Sequence, residues 1–392
     1  MKQPKQIEPN TAQRCWVQID LAAIEHNYRA IREKLQAHVR LLAVVKAEAY
    51  GHGAVTVGRL LEKLGVDMLG VTTVAEGLAL RQGGITLPIL VFGPFLPQEA
   101  EKIVAHDLIA TIADTEAIAW LGQTTERLGK KVEFHLKVET GMGRTGLWPR
   151  ELKGAAEAIA GYAGLELTGV YSHLASASSP KSAYSKKQFA IFQGVCRQLE
   201  EAGYTGLVRH IANSGALLNY PEMHLDMVRT GTLLFGQYPS SRLAHQIKLK
   251  DPWSFWARVS YVRDLPAGHS VGYGQTYTSK RATRVAVLPV GYCDGLQMEP
   301  VFRPVNLLEL LKGMVKLLLQ YLNHPRMAVT VRFPQGSGRI IGKVGMQLTM
   351  VDITDIPEVQ VGSPARIPVR RTAVNPQIAR VYVNCPETAC DH

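Results

Sequence analysis

Residues 41–55 read LLAVVKAEAYGHGAV. Five apolar residues, Leu41 to Val45, run into Lys46, and a loop containing Tyr50-Gly51-His52-Gly53 follows at once. A short apolar run with a helical pattern behind it (AVTVGRLLEKLG, 54–65) predicts a buried parallel strand feeding a helix. Outward from this stretch the alternation recurs. The runs MLGVTT (68–73), PILVF (88–92), LIATIA (108–113), VEFHLKV (132–138), LTGVYSH (167–173), VRHIAN (208–213) and MVRTG (227–231) bring the strands to eight. Helical patterns lie between most of them, several ending in glycine, where helices often stop. Eight such units over roughly 200 residues predict an α/β fold, a (β/α)8 TIM-type barrel. An open doubly wound sheet is the competing arrangement, but no GxGxxG turn follows the first strand.

After Tyr238-Pro239 the texture changes. WARVSYVRDL, TRVAVLPVGY, MAVTVRF, RIIGKVG, LTMVDIT and ARVYV are short strand-like runs with Gly and Pro between them. They predict a mainly β domain. The expected boundaries are 15–245 for the barrel and 246–392 for the β domain, with residues 1–20 pairing with the latter.

The chain has 392 residues, 46% apolar and 20% charged, enough for a sizeable core. Its net charge of +11 is scattered, with no Lys/Arg block carrying interleaved aromatics. That argues against nucleic acid as partner and suits anionic small ligands. Five cysteines without a CxxC pair predict free thiols in a cytoplasmic protein and no metal site. The N-terminus, MKQPKQIEPNTAQR, has no apolar core of a signal peptide. No segment approaches the ~20 apolar residues of a membrane span. Leu307 to Leu322, broken by Glu309, Lys312 and Lys316, reads as an amphipathic helix that fits a core better than a membrane and is also suited to covering a dimer or domain face.

In a barrel, chemistry gathers where strands end. The first run ends in Lys46, the fifth in Lys137 with Arg144 close behind, and the sixth in Ser172-His173. The seventh ends in Asn213-Ser214-Gly215 and the eighth in Arg229-Thr230-Gly231-Thr232. Each has a plain alternative: a solvated lysine, a core histidine, surface arginines, a packing Tyr50, a structural His52. Together they put basic and hydroxylic groups around one mouth. The last two loops offer what a phosphate needs. A phosphorylated carbonyl cofactor facing a strand-end lysine points to pyridoxal 5'-phosphate held as a Schiff base.

AVVKAEAYGHGA, HLKVETGMGRTG, YSHLASA, HIANSGALL, MVRTGTLLFGQYPS, VGYGQTYT, LPVGYCDG and VGMQLTMVD, in this order, resemble the alanine racemases, fold-type III pyridoxal-phosphate enzymes. The resemblance spans nearly the whole chain. It implies a barrel followed by a β domain, and a homodimer whose sites are shared between subunits. It also implies interconversion of L- and D-alanine by two bases on a cofactor aldimine. Lys46 would carry the cofactor and act as one base, and Tyr273 of the second subunit would be the other. Tyr50, Ser214, Gly231 and Thr232 would hold the phosphate, His173 would support the ring, and Arg229 would bond its nitrogen. Arg144 would hold the phenolic oxygen and the substrate carboxylate. Lys137 matches a lysine that is carbamylated in some members, and Tyr292 and Met346 would line the entrance and pocket.

Three departures stand out. Met346-Gln347-Leu348 replaces the family's Met-Asp-Gln, removing a carboxylate near the substrate. The ending ARIPVRRTAVNPQIARVYV lacks the helix and the Asn-Tyr-Glu stretch whose tyrosine contacts phosphate in the family. Residues 297–325 carry an extra apolar segment. Gln347 keeps open a racemase of wider range, for serine, lysine or several amino acids. A basic-amino-acid decarboxylase is disfavoured, because no acidic constellation is evident in this chain for a distal ammonium and Arg229 rather than a carboxylate would face the ring nitrogen. A non-catalytic cofactor carrier is usually a barrel alone, whereas this chain has a second domain.

Overall fold

The computed structural model describes residues 13–298, 303–304, 306–322, 324 and 327–385. The polar N-terminus through residue 12, Cys390 and parts of the 297–325 segment lie outside the described residues. Among these residues the chain forms two compact units. One is Leu21–Pro252; the other joins the segment ending at Asp20 to Trp253–Asn384.

The first unit is a barrel. Before it lies β1 (Cys15–Asp20); its own strands are β2 (Arg40–Val44), β3 (Met68–Val71), β4 (Ile89–Val91), β5 (Ala110–Ile112), β6 (Val132–Lys137), β7 (Leu165–Tyr171), β8 (Val208–His210) and β9 (Met227–Thr230). All pair in parallel, in the orders β4-β3-β2-β9 and β5-β6-β7-β8. A parallel bridge, Leu90 to Ile109, joins one seam. Main-chain bonds from Asp226 N to Arg209 O (3.2 Å) and Arg229 N to Ala212 O (3.0 Å) join the other. Leu42, Met68, Leu90, Ile109 and Met227 form one packed apolar layer, which makes the barrel a core rather than a pore. Helix ends follow local chemistry. In Thr115–Leu128, Asp114 accepts from Ala117 N at 2.8 Å, and Gly129 closes the last turn in the left-handed region.

The second unit is a nine-stranded sheet among the described residues. It uses β1, β10 (Trp253–Arg258), β11 (Tyr261–Leu265), β14 (Thr283–Leu288), β15 (Thr330–Phe333), β16 (Gly336–Ile341), β17 (Thr349–Asp352), β18 (Pro364–Ile367) and β19 (Arg380–Val383). The order is β11-β14-β17-β16-β15-β18-β10-β1-β19. The small ladder β12 (Ser270–Val271) with β13 (Tyr277–Thr278) stands apart and brackets Tyr273. β1 pairs antiparallel with β10 and parallel with β19.

Two expectations are corrected. The helix Leu307–Tyr321 is no core helix: none of its residues is buried, and Leu307, Leu308, Leu311, Leu317 and Leu318 face solvent. Its apolar residues cover about 200° of circumference, but the half-buried positions include Glu309 and Gly313, which give apolar neighbours little to close on. Cys15, Cys196 and Cys293 are free thiols, whereas Cys385 is disulfide-bonded. An odd count excludes complete pairing but not a single bond. No described helix is long and apolar enough to cross a membrane.

Candidate active site

At the C-terminal ends of the barrel strands lies a cavity of about 520 Å³. Lys46, Tyr50, Lys137, Arg144, His173, Ser214, Arg229, Gly231 and Thr232, separated by up to 186 residues of chain, all line it. β2 delivers Lys46, and the chain then turns through four left-handed residues, Ala47 to Tyr50, with φ between 50° and 56°. None is glycine, and such a conformation costs roughly 1–2 kcal/mol per residue. Glu76 helps hold it, accepting from Ala47 N at 2.6 Å with one oxygen and from Thr72 N and Thr73 N with the other. The turn brings Tyr50 back over the last barrel loop. A Cβ at Gly231 would lie 2.5 Å from the Tyr50 hydroxyl, so glycine there makes room for it. Ser214 Oγ accepts from Gly231 N at 3.3 Å and lies 3.1 Å from Thr230 Oγ1. Hydroxyls and main-chain N–H groups thus converge on one end of the cavity, as an anion requires.

Other lining residues are cationic. Arg229 is only 4% exposed. Its Nη1 donates to His210 O and to His210 Nδ1, both at 2.9 Å; its Nη2 reaches Ser172 O at 2.6 Å, Ile211 O at 3.3 Å and His173 Nδ1 at 3.4 Å. These bonds occupy the four Nη hydrogens and none involves the Nε–H. Burial lowers Arg229 to about 10, which leaves it charged at neutral pH. Burial and the charges of Arg229 and Arg144 push His173 down to about 3, so its imidazole is neutral. Lys137 falls to about 8, through burial first and then Arg144 and Arg229. Its amine donates to Thr145 Oγ1 at 2.5 Å and stands 5.6 Å from the Tyr171 ring centroid.

Arg144 sits on a loop built around Glu139. That carboxylate accepts from Gly141 N, from Met142 N at 2.5 Å, Gly143 N at 2.9 Å and Arg144 N at 3.2 Å. Glu76, Tyr171, His135 and His210 shape the site and escape a reading of strand ends, and Glu139 stands at a strand end without its role as acceptor being legible there. Glu139 lies one residue past Val138 in a motif otherwise read for its cations, and the two histidines sit inside strands like core residues.

His52 is buried and stacks on Phe235, as a structural histidine does. Tyr273 and Met346 belong to the β unit, where both line a second cavity of about 830 Å³ together with Gln347. Tyr292 lies on the short turn Tyr292–Asp294 of that unit and is exposed. The barrel cavity therefore gathers nine of the expected residues, and the β unit carries the other three.

The residues present fit pyridoxal phosphate. A lysine amine, a hydroxyl and N–H cradle left open by Gly231, and a buried guanidinium with an uncommitted N–H meet the cofactor's aldehyde, phosphate and ring nitrogen respectively.

Family models described as alanine racemase, N-terminal domain and alanine racemase, C-terminal domain match residues 19–239 and 253–381. The chain is 39% identical over 348 residues to alanine racemase 1 of Caldanaerobacter subterraneus subsp. tengcongensis, covering 88% of this chain and 83% of that protein. It is 41% identical over 280 residues to the alanine racemase of Symbiobacterium thermophilum, covering 71% of this chain and 74% of that one. Among solved structures it resembles an alanine racemase of Clostridium difficile with a TM-score of 0.82 at 27% identity, covering 94% and 96% of the two chains. A Bacillus anthracis alanine racemase with bound L-Ala-P gives 0.81 at 26%, covering 95% of each.

Proposed function

The chain belongs to the alanine racemase family, an isomerase family, and from that premise we propose that it interconverts L- and D-alanine with pyridoxal phosphate and two bases, Lys46 and Tyr273. The observation that carries this reading is the convergence of Lys46, Tyr50, Ser214, Gly231 and Arg229 on one barrel cavity.

Bound pyridoxal phosphate supplies an electron sink that makes the substrate's α-proton acidic. The protein's part is to hold, orient and move protons. Tyr50, Ser214 and the N–H groups at Gly231 and Thr232 grip the phosphate. Lys46 would hold the cofactor through its amine and would take or return the α-proton on one face. Tyr273 serves the other face, so neither base crosses the plane. His173 would pack against the ring. Arg229 would donate to the ring nitrogen and, being unable to accept a proton, would leave that nitrogen unprotonated, a weaker sink that favours return of the proton to the α-carbon over transamination. Arg144 holds the substrate carboxylate. Met346 and Tyr292 shape the pocket and its entrance.

Tyr273 is 76% exposed on its own chain, in keeping with a role in a homodimer where each barrel is completed by the partner's β unit. Lys137 is suited to carbamylation. Its ammonium gives up one proton, and the neutral amine attacks the carbon of carbon dioxide. A C–N bond forms as one C=O π bond opens onto oxygen, and the nitrogen releases a second proton, so that a buried cation becomes a carbamate anion near Arg144. We place the enzyme in the cytoplasm.

Gln347 beside Met346 favours one second reading, a racemase of wider substrate range. Incubation with a panel of L-amino acids in deuterated water, followed by NMR, tests both. Exchange confined to alanine, with D-alanine appearing, supports alanine specificity, and exchange across several amino acids supports the wider range. Loss of carbon dioxide, or no exchange from cofactor-loaded protein, overturns both.

A further inference from the structure

Behind Arg229 the barrel interior holds a string of hydrogen bonds that ends on His135. Arg229 Nη1 lies 2.9 Å from His210 Nδ1, and His210 Nε2 lies 2.9 Å from His135 Nδ1. Both imidazoles are buried. A guanidinium only donates, so His210 Nδ1 must accept. A neutral imidazole has one N–H, so the proton of His210 stands on Nε2. That N–H points at His135 Nδ1, which must accept in turn, and His135 carries its own proton on Nε2. Burial and the charge of Arg229 keep both rings neutral, His135 at about 3 and His210 well below its ordinary range.

The backbone is shaped around this arrangement. The register of β6 on β7 shifts between Phe134 and His135, which places Gly169 opposite His135. A Cβ at Gly169 would lie 2.6–2.7 Å from three atoms of the His135 ring. Tyr171 stacks on His210, with centroids 4.8 Å apart and planes 13° from parallel, so that ring is not free to turn. Tyr171 is itself tied to Thr111 at 2.9 Å. An apolar side chain at 135 would fill space but would leave the His210 N–H buried without an acceptor.

We propose that His135 is a positioning residue: as the acceptor of the His210 Nε2–H it holds that ring in place and thereby aims the Arg229 guanidinium, with its Nε–H, at the ring nitrogen of the cofactor. The proposal rests on the reading of Arg229 given above. Without His135, the His210 proton stays on Nε2, because Arg229 demands an acceptor at Nδ1, but that N–H is then buried without an acceptor; the ring shifts to seek one and the guanidinium tilts with it.

The test is long-range ¹H–¹⁵N NMR of the histidine rings, with and without pyridoxal phosphate, alongside titration of cofactor affinity. In the native protein both His210 and His135 should show the neutral Nε2–H form from pH 6 to 9. In His135→Leu, the His210 Nε2–H should lose its hydrogen-bonded downfield shift while remaining the Nε2–H form, and the cofactor Kd should rise about tenfold, the scale set by losing the outer support of a binding group. His135→Asn, whose amide oxygen stands near the former Nδ1, should stay within twofold.

An Nδ1–H form of His210 in the native protein overturns the proposal. So does a His135→Leu protein with an unchanged His210 Nε2–H shift and an unchanged Kd. If His135→Leu does not fold, the native tautomers and the Asn variant decide, and a tenfold loss in the Asn variant overturns it. Predicted tautomers without α-proton exchange would sink the racemase reading alone; racemisation with the wrong tautomers would sink this one alone.

Discussion

The two cavities hold their side chains in opposite ways. In the barrel, Arg229 is gripped by three main-chain carbonyls and two imidazoles, and Lys137 is packed against Thr145 and Tyr171. In the β unit, Tyr273 and Met346 stand 76% and 59% exposed. The barrel residues are fixed before any ligand arrives, so binding them costs little ordering. The β-unit residues keep their rotamer freedom until something covers them. Substitutions in the barrel should therefore disturb binding and structure along with chemistry, whereas those in the β unit should disturb chemistry alone.

The sharpest test of the barrel side is Lys46→Ala. Loss of both the covalent anchor and one base should cut racemisation about 10⁴-fold or more, read by exchange in deuterated water. The cofactor's absorbance should also shift to that of the free aldehyde. An activity loss below tenfold would remove Lys46 from the mechanism.

Tyr273→Phe tests the β side. Melting temperature and cofactor affinity should be unchanged, because the side chain is exposed. Proton exchange from one enantiomer of alanine should fall about 10²–10⁴-fold while exchange from the other persists. Equal small losses for both enantiomers would break the two-base assignment.

What the sequence revealed follows the same division. The barrel was legible because parallel strands buried on both faces leave continuous apolar runs, and because strand ends carry the chemistry. Lys46, Arg229 and Ser214 stand at such ends. The left-handed turn at 47–50 was illegible: it contains no glycine, and Glu76, which supports it, comes 26 residues after Tyr50. The His135–His210 pair was illegible because 75 residues separate two histidines that each read as core. The helix Leu307–Tyr321 was misread because an apolar arc announces suitability for burial without saying whether anything covers it.

Glu139 offers an intermediate test. In Glu139→Ala, the N–H groups of Gly141 to Arg144 lose their acceptor, and stability should drop about 1–3 kcal/mol in denaturant titration. Arg144 would then wander, and a displacement near 1 Å is worth about 10²-fold in rate. Burial alone pushes this carboxyl's pKa up, but the four amide bonds outweigh it and hold the pKa below the usual range. The native contribution should accordingly be complete at neutral pH, above the unfolded value near 4.3. It should be lost only as pH falls from there through the lower folded value.

Lys137 gives a gentler signal of the same crowding. With ¹³C-labelled carbon dioxide at fixed dissolved concentration, the Lys137 carbamate should appear at lower pH than that of a free lysine side chain in the same solution. The buried amine loses its proton at about pH 8 and the ordinary one at about 10.4. Appearance at the same pH as the free side chain would mean that the amine is solvated and that the barrel wall is looser than its bonds suggest.

The smallest effect is expected outside both cavities. Leu318→Glu replaces a side chain that is 56% exposed on the helix Leu307–Tyr321, and it should move the free energy of unfolding by no more than about 0.5 kcal/mol. Phe255→Ala in the same unit, fully buried on β10, should cost about 3–5 kcal/mol. The pair calibrates exposure within one sheet domain. If Leu318→Glu instead costs more than about 1 kcal/mol, that leucine is covered in the assembled protein. Exposure on a single chain would then be a poor guide for Tyr273 as well. The contrast between a finished barrel cavity and an uncovered β-unit cavity would have to be redrawn as two stages of one assembly.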